Sequence, residues 1–171
     1  MKDFTKPKAV QRAKVRRVAS GGGTFPLHIK SILVPIDFSP LSRQSLDYAV
    51  AYARKFQAKL TLLHVVEPVA MPDFAASFPL VLEEDKLMAS AHKKLASVVK
   101  TARIPQALVE KILVHLGSAF NEIATAARAC KVDLIIISTH GYSGVKFVLL
   151  GSTTERVVRH APCPVLVLPQ R

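Results

Sequence analysis

Short apolar runs alternate with longer amphipathic segments along most of this 171-residue chain. The first apolar run, residues 31–36, is short and rich in aliphatic side chains, so it predicts a buried strand. Ser39 and Pro40 follow it and are typical of a helix start, as N-cap and first-turn proline. The helix that they open carries apolar residues at helical spacing on one face, namely Leu46, Ala49, Val50 and Ala53.

The same alternation continues toward the end of the chain. Residues 60–66 and 164–168 are apolar runs that predict strands, and the β-branched content of residues 108–116 predicts another. The remaining pattern predicts helices at residues 80–101, 118–131 and 153–161, and a strand at residues 133–137. Five apolar strands with four intervening helices predict an α/β fold, in which a parallel sheet is covered on both faces.

A glycine-bearing loop joins the predicted fourth strand to the last helix. The first-turn N–H groups of a helix lack intrahelical partners, and the helix dipole adds partial positive charge, so this loop predicts an anion site. Gly141, Gly144 and Gly151 are equally compatible with turns that bind nothing. Residues 152–155, Ser-Thr-Thr-Glu, have the spacing of a capping box, so we expect Ser152 to start the helix and to face the anion.

Asp37 follows the first predicted strand. In open parallel sheets, ligands bind beyond the carboxyl ends of the strands, where the strand order changes direction. If the first and fourth strands are neighbours, Asp37 and the glycine loop face one crevice, and the carboxylate can accept a hydrogen bond from a base or a sugar. Asp37 is also placed to interact with the dipole of the helix that starts at Ser39, and the two roles are compatible.

The length suits one domain with a sizeable core. No apolar run reaches the roughly 18 residues that a membrane span needs, and the first residues lack the apolar core of a signal peptide. Cys130 and Cys163 lie among apolar neighbours and cannot form a disulfide framework. We therefore expect reduced, partly structural cysteines and a cytoplasmic location.

The charge is unevenly distributed. Residues 1–28 hold seven Lys and Arg against one Asp, which is +6 of the net +12. We therefore divide the chain into a basic arm, residues 1–28, which we expect to be flexible, and an α/β domain, residues 29–171. The arm is compatible with a solvated tail and with a contact of residues 2–17 with nucleic acid or an anionic surface.

Five segments of the domain resemble those of the universal stress protein family, in the same order. They are Ile-Leu-Val-Pro-Ile-Asp-Phe-Ser-Pro (32–40), Leu-Leu-His-Val-Val (62–66), Asp-Leu-Ile-Ile-Ile-Ser-Thr-His-Gly (133–141), Leu-Gly-Ser-Thr-Thr-Glu-Arg-Val-Val (150–158) and His-Ala-Pro-Cys-Pro-Val-Leu-Val (160–167). The resemblance implies a flavodoxin-like (Rossmann-like) three-layer sandwich, with a five-stranded parallel sheet in the order 3-2-1-4-5. It also implies a homodimer that pairs through the last strand, and a site for ATP or AMP with Mg²⁺ as a candidate companion ion.

Nucleotide-binding members of that family carry Gly, two residues, Gly, nine residues, and then Gly followed by Ser or Thr. Here Gly141 is followed by nine residues and then by Gly151 and Ser152, so these three positions match. Ser138 stands where the family has its first glycine. Because Ser adds a Cβ and a hydroxyl, we expect the change to affect nucleotide affinity rather than the fold.

The resemblance also assigns roles within the site. It implies that Asp37 contacts the adenine and that Val65 lines its pocket. It also implies that the ribose and phosphates are bound by Gly141, Gly151, Ser152 and Thr153. The implied site residues further include Pro35, Ser138 and Thr154.

The sequence favours binding over catalysis. It contains no Gly-x-x-x-x-Gly-Lys-Ser/Thr loop, and no carboxylate or nucleophile is placed to work with His140, so we expect at most slow ATP hydrolysis. Lys146, a cation in the loop, can neutralise phosphate charge or remain solvated. We therefore expect an adenine-nucleotide-binding sensor or adaptor in the stress response. A nucleotide-free dimeric interaction module, and binding to nucleic acid or membrane through the basic arm, stay open as alternatives.

Overall fold

The computed structural model of the protein describes residues 28–68, 81–139 and 150–169. These residues form five parallel strands, β1 (Ser31–Pro35), β2 (Lys59–Val66), β3 (Val109–Leu116), β4 (Leu134–Ser138) and β5 (Val165–Leu168). They also form four α-helices, α1 (Pro40–Phe56), α2 (Val81–Thr101), α3 (Ala119–Ala129) and α4 (Ser152–His160), with a short 3₁₀ turn at Gln106–Leu108. The sheet order is β3-β2-β1-β4-β5, which confirms the predicted topology.

The two faces of the sheet carry separate halves of the core. Because side chains alternate along a strand, Ile32, Val34 and Ile36 lie on one face, packed with residues of α1 and α2. Leu33 lies on the other face, in a cluster with residues of α3, β4 and α4. The protein is therefore a flavodoxin-like three-layer α/β sandwich, as the alternating pattern and the resemblance predicted.

The strand order reverses its direction between β1 and β4. The chain first builds outward from β1 through β2 to β3, and then returns to place β4 on the other side of β1. Ile32 and Leu33 of β1 pair with Leu134 and Ile135 of β4. The two strands are thus neighbours, and their carboxyl ends meet at the point where this type of sheet binds ligands.

The start of α1 agrees with the sequence in detail. Ser39 is the N-cap, and its Oγ accepts a hydrogen bond of 3.1 Å from the N–H of Ser42. Pro40 occupies the first helical position, where its missing N–H costs nothing. This cap fixes the direction in which the chain leaves β1.

At the opposite edge, Asp133 joins the beginnings of β1 and β4. Its Oδ2 accepts hydrogen bonds from the N–H groups of Lys30 (2.8 Å) and Ser31 (2.9 Å). Asp133 lies just ahead of β4, which begins at Leu134, one residue later than predicted.

No helix within the described ranges is long and apolar enough to cross a membrane. Residues 1–27 of the basic arm lie outside the described residues, so the predicted flexibility and contacts of the arm stay predictions. Residues 69–80 also lie outside them.

Candidate functional site

A crevice of about 320 Å³ opens at the carboxyl edge of the sheet, where β1 and β4 diverge. Its floor and walls come from the ends of β1, β2 and β4 and from the first turns of α1, α3 and α4. The lining residues are Pro35, Ile36, Asp37, Ser42, Leu63, His64, Val65, Glu67, Ala119, Ile123, Ile137, Ser138, Thr139, Gly151, Ser152, Thr153 and Thr154.

Eight of the nine residues assigned to the site from the sequence line this crevice. They are Pro35, Asp37, Val65, Ser138, Gly151, Ser152, Thr153 and Thr154. The ninth, Gly141, lies outside the described residues, as do His140 and Lys146. The structure thus brings together residues that are up to 119 positions apart in the chain, from Pro35 to Thr154.

The first turn of α4 differs from the predicted capping box. The N-cap is Gly151, with extended backbone, and Ser152 is already the first helical residue. Ser152 thus starts the helix as predicted, but the predicted capping box is absent, because Gly151 and not Ser152 is the N-cap. Glu155 was expected to complete the capping box, but its carboxylate instead binds Arg159 at 2.9 Å on the exposed side of the helix.

This first turn leaves its backbone donors open toward the crevice. The N–H of Glu155 donates to the carbonyl of Gly151 at 2.9 Å. Within the described ranges, the N–H groups of Ser152, Thr153 and Thr154 donate no hydrogen bond. Since all three residues line the crevice, the positive end of the helix faces its interior. Open N–H groups at a helix start are suited to an anion such as phosphate.

Two hydrogen bonds hold the start of α4 against the end of β4. The Oγ1 of Thr154 donates to the carbonyl of Ser138 at 2.9 Å, and the N–H of Gly151 donates to the carbonyl of Thr139 at 2.8 Å. Thr154 is only 4% exposed, so its hydroxyl bonds to the protein rather than to solvent. These bonds set the distance between the helix N–H groups and the strand end.

Asp37 lies across the crevice, directly after β1. Its Oδ1 accepts a hydrogen bond of 2.9 Å from the N–H of Ser39 and is thereby oriented at the start of α1. Among the described residues Oδ2 has no partner, so this oxygen is available to a donor on a ligand. Both roles expected for Asp37 are therefore sterically compatible.

The residue after Asp37 holds an unusual backbone conformation. Phe38 has φ of 66°, in the left-handed region that a residue with a Cβ rarely adopts. Its ring packs on His64, with centroids 4.3 Å apart, and the Nζ of Lys94 lies 4.1 Å from the ring centroid. These contacts offset the backbone strain and fix the turn that carries Asp37.

His64 lies at the rim of the crevice, and its ring is hydrogen-bonded within the protein. Its Nδ1 lies 2.7 Å from the carbonyl of Ile36, and because a carbonyl only accepts, Nδ1 carries the proton. The bond joins β2 to the end of β1, and it was not predicted from the sequence. The feature that could have indicated it is a histidine close to the carboxyl end of a central strand.

Glu67 is a second carboxylate in the crevice, and the sequence analysis did not identify it. Its Oε1 accepts a hydrogen bond of 2.9 Å from the N–H of Ala119 and so caps α3, a role that the N-cap residue Ser118 does not fill. None of the described lining residues is Lys or Arg. Attraction for an anion therefore comes, in this part of the chain, from the first turn of α4.

The remaining candidate groups have structural partners or shielded positions. His115 Nδ1 lies 3.0 Å from Glu122 Oε2. Burial raises the pKa of the Cys163 thiol, which keeps it protonated and unreactive at neutral pH. Within the described ranges, no group of three or more His, Cys, Asp and Glu residues could hold a metal ion.

The comparisons with known proteins agree with this architecture. The model of the universal stress protein family matches residues 28–169. Universal stress protein A homolog 1 of Coxiella burnetii is 32% identical over 145 residues, which are 83% of this chain and 97% of that protein. The solved UspA structure from Lactobacillus plantarum has a TM-score of 0.63 and 30% identity, and the match covers 82% of this chain and 98% of that one.

A further solved structure is a universal stress protein in complex with cAMP. It has a TM-score of 0.59 and 21% identity, and the match covers 84% of this chain and 99% of that one. At this identity the likeness shows the fold alone.

Proposed function

The chain belongs to the universal stress protein family, and we propose that it binds an adenine nucleotide, ATP or AMP, in the crevice between β1 and β4. The observation that carries the proposal is the first turn of α4, whose open N–H groups face a crevice bounded on the other side by Asp37. Such a pairing suits a ligand with an anionic end and a hydrogen-bond donor at the other end. An adenine nucleotide has both, in its phosphates and its exocyclic amino group.

In the proposed complex the phosphates lie against the start of α4. The N–H groups of Ser152, Thr153 and Thr154 donate to phosphate oxygens, and the missing Cβ of Gly151 allows close approach. Gly141 is proposed to contact the ribose or phosphates from the loop. Since no cation lines the described part of the crevice, Mg²⁺ on the phosphates would lower the repulsion from the nearby carboxylates.

The base is proposed to lie between the ends of β1 and β2. Asp37 Oδ2 accepts from the adenine amino group, while Pro35 and Val65 provide apolar contacts. Ser138 occupies the position of a family glycine and is 7% exposed, so its side chain adds little bulk to the surface of the crevice. The cAMP complex of another protein with this fold supports the idea that the fold accommodates adenine nucleotides.

We propose a role as a sensor or adaptor that signals nucleotide occupancy to a partner in the cytoplasm, where both free cysteines stay reduced. In the described crevice Asp37 and Glu67 each accept a backbone hydrogen bond through one oxygen, and His64 donates one. Because the other oxygen of Asp37 is proposed to bind the base, it is not assigned to activating water, and any ATP hydrolysis should be slow.

The test begins with nucleotide released from freshly purified protein and with calorimetric titration of ATP. Gly151→Val should raise the dissociation constant at least about tenfold, a loss of about 1.4 kcal/mol. The backbone at Gly151 has φ of −65° and ψ of 148°, which valine adopts readily, so the substitution adds bulk without backbone strain. Ala129→Val, at the exposed end of α3, adds similar bulk away from the crevice and should leave binding unchanged.

An unchanged dissociation constant for Gly151→Val would place the nucleotide elsewhere. A protein that carries no nucleotide and gives no heat with ATP or AMP would favour the second candidate, a nucleotide-free dimeric module. The sheet edge favours that candidate, because β5 pairs with β4 on one side and all four of its residues are only half-buried. Light scattering tests it, since a dimer has twice the 18.6 kDa mass of the chain.

A further inference from the structure

Among the described residues, exposed cations are concentrated at one edge of the sheet. The amino edge is defined here as the end where the strands begin and the helices finish. Exposed cations in the last turns of helices and in the following connections collect there: Lys30, Arg54, Lys55, Lys100, Arg103 and Lys131. The described acidic residues at this edge are Glu110 and Asp133, and the carboxylate of Asp133 is occupied by two backbone N–H groups.

Contacts between the connections confirm that these positions share one edge. The Nζ of Lys30, ahead of β1, lies 3.4 Å from the carbonyl of Phe56 at the end of α1. Arg128, at the end of α3, reaches the carbonyl of His160 at the end of α4, 3.3 Å away. These contacts place Lys30 beside the end of α1, and the end of α3 beside the end of α4.

Helix stabilisation explains only part of this arrangement. Cations in a last turn interact favourably with the helix dipole, which accounts for Lys55 and Lys100. Arg103 and Lys131 lie beyond their helices, with φ of 50° and 49°. Glycine is the cheapest residue at such left-handed positions after a helix, yet the chain has long cationic side chains at both.

The carboxyl edge carries both signs among the described residues. Asp37 and Glu67 line the crevice, and Glu84 and Asp85 are exposed at the beginning of α2. The exposed cations Arg43 and Lys86 lie at the starts of α1 and α2. A large polyanion is consequently attracted more strongly to the amino edge, where described cations outnumber described carboxylates.

We propose that the amino edge is a docking surface for a nucleic acid duplex, held through its phosphates. With strands about 4.8 Å apart, five of them make an edge about 20 Å wide, about the length of six base pairs. The aromatic side chains at this edge, Tyr52 and Phe56, pack against the core and against each other and are only half-exposed, so recognition is of the backbone and independent of base sequence.

One observation favours a duplex over a membrane surface. Membrane-surface binding normally buries several exposed apolar side chains. Of the exposed large hydrophobics among the described residues, Leu87, Leu116 and Val158, only Val158, in the last turn of α4, lies at this edge.

The experiment measures the affinity of the full chain for a mixed-sequence DNA duplex of about 20 base pairs, by fluorescence anisotropy between about 50 and 200 mM KCl. The edge variant is Lys55→Gln, Lys100→Gln and Lys131→Asn, where Asn tolerates the left-handed backbone. It should weaken binding at least about tenfold at 0.1 M salt and lower the slope of log K against log salt by about 2.7, since each phosphate contact contributes about 0.9.

The matched control is Arg43→Gln, Lys86→Gln and Lys93→Gln, which removes the same net charge from exposed positions away from this edge. Its slope should change by less than about one. If the triple edge variant does not fold, Lys55→Gln with Lys100→Gln carries the test, with a slope lowered by about 1.8. ATP at matched ionic strength should not displace the duplex.

Several results would overturn the proposal. Equal losses in the edge and control variants would mean that diffuse net charge is responsible. An unchanged edge variant would assign any binding to the arm alone, and displacement by ATP would move the duplex to the crevice. Absence of duplex binding at low salt, or salt-sensitive binding to vesicles containing phosphatidylserine in its place, would equally exclude the duplex as the partner.

Discussion

Replacing Thr154 by valine tests how the start of α4 is held at the crevice. Valine has nearly the shape of threonine, so the change removes the hydroxyl and little else. In the structure Thr154 is 4% exposed, and its Oγ1 donates a 2.9 Å hydrogen bond to the carbonyl of Ser138. The substitution therefore removes one buried donor and takes a partner from a carbonyl at the end of β4.

The expected loss in unfolding free energy is about 1–2 kcal/mol, from the lost hydrogen bond and the poorer satisfaction of the carbonyl. In a domain of this size that corresponds to a fall in Tm of roughly 2–8 °C. Because the bond also positions the open N–H groups of the helix, we expect the dissociation constant for ATP to rise about two- to tenfold. Urea unfolding and calorimetric titration measure the two effects separately.

Thr125→Val is the matched control, since Thr125 is exposed in α3 and the same atoms are exchanged there. Its unfolding free energy should stay within about 0.5 kcal/mol of that of the unmodified protein. If Thr154→Val were equally neutral in stability, the bond to Ser138 would not hold the helix, and the reasoning would be refuted. A loss of stability with unchanged ATP affinity would separate the fold from the proposed site.

Three further predictions concern other parts of the domain. Phe38→Ala removes the ring contacts with His64 and Lys94 but leaves a left-handed backbone, so urea unfolding should show a loss of about 1–2 kcal/mol; an unchanged midpoint would mean that the contacts do not offset the strain. Asp133→Asn weakens the acceptor shared by two N–H groups and should cost about 1–2 kcal/mol in the same assay, whereas no loss would contradict its role in joining β1 to β4. Burial raises the pKa of the Cys163 thiol above its ordinary value of 9.0, so folding favours the protonated form. The contribution of the protonated thiol to stability is complete below pH 9.0 and is lost as the pH rises through the pKa of the folded protein. Cys163→Ala should therefore lose less stability between neutral and strongly alkaline pH than the unmodified protein does.

The fold was largely predictable because its signals are local or periodic. The alternation of Ile32, Leu33 and Val34 between two faces follows from strand geometry, and the long apolar runs identify strands buried on both faces. The cap of α1 was also predictable, because the Oγ of Ser39 accepts from the N–H of Ser42, only three residues later. Interactions over such short spacings depend only on residues that are close together in the sequence.

The candidate site was predictable only in part. Residues after strands β1 and β4 were identified because parallel strands end at one edge, and Asp37 and Ser138 do line the same crevice. Glu67 was missed because its function is to cap α3, 52 residues later, and nothing in its own surroundings indicates that partner. The spacing of residues 152–155 correctly indicated that Ser152 starts α4, but the capping box is absent, since the N-cap is Gly151.

By itself the sequence determined the number and type of the elements, their order, and the family to which the chain belongs, because periodicity and short motifs depend on neighbouring residues. Tertiary structure decided which groups face each other across the crevice. In the folded protein the hydroxyl of Thr154 holds α4 against β4, and the ring of Phe38 contacts both His64 and Lys94. The first-turn N–H groups of α4 stay open toward the crevice. These arrangements depend on distances between residues far apart in the chain, and such distances are fixed only when the two halves of the core pack on the sheet.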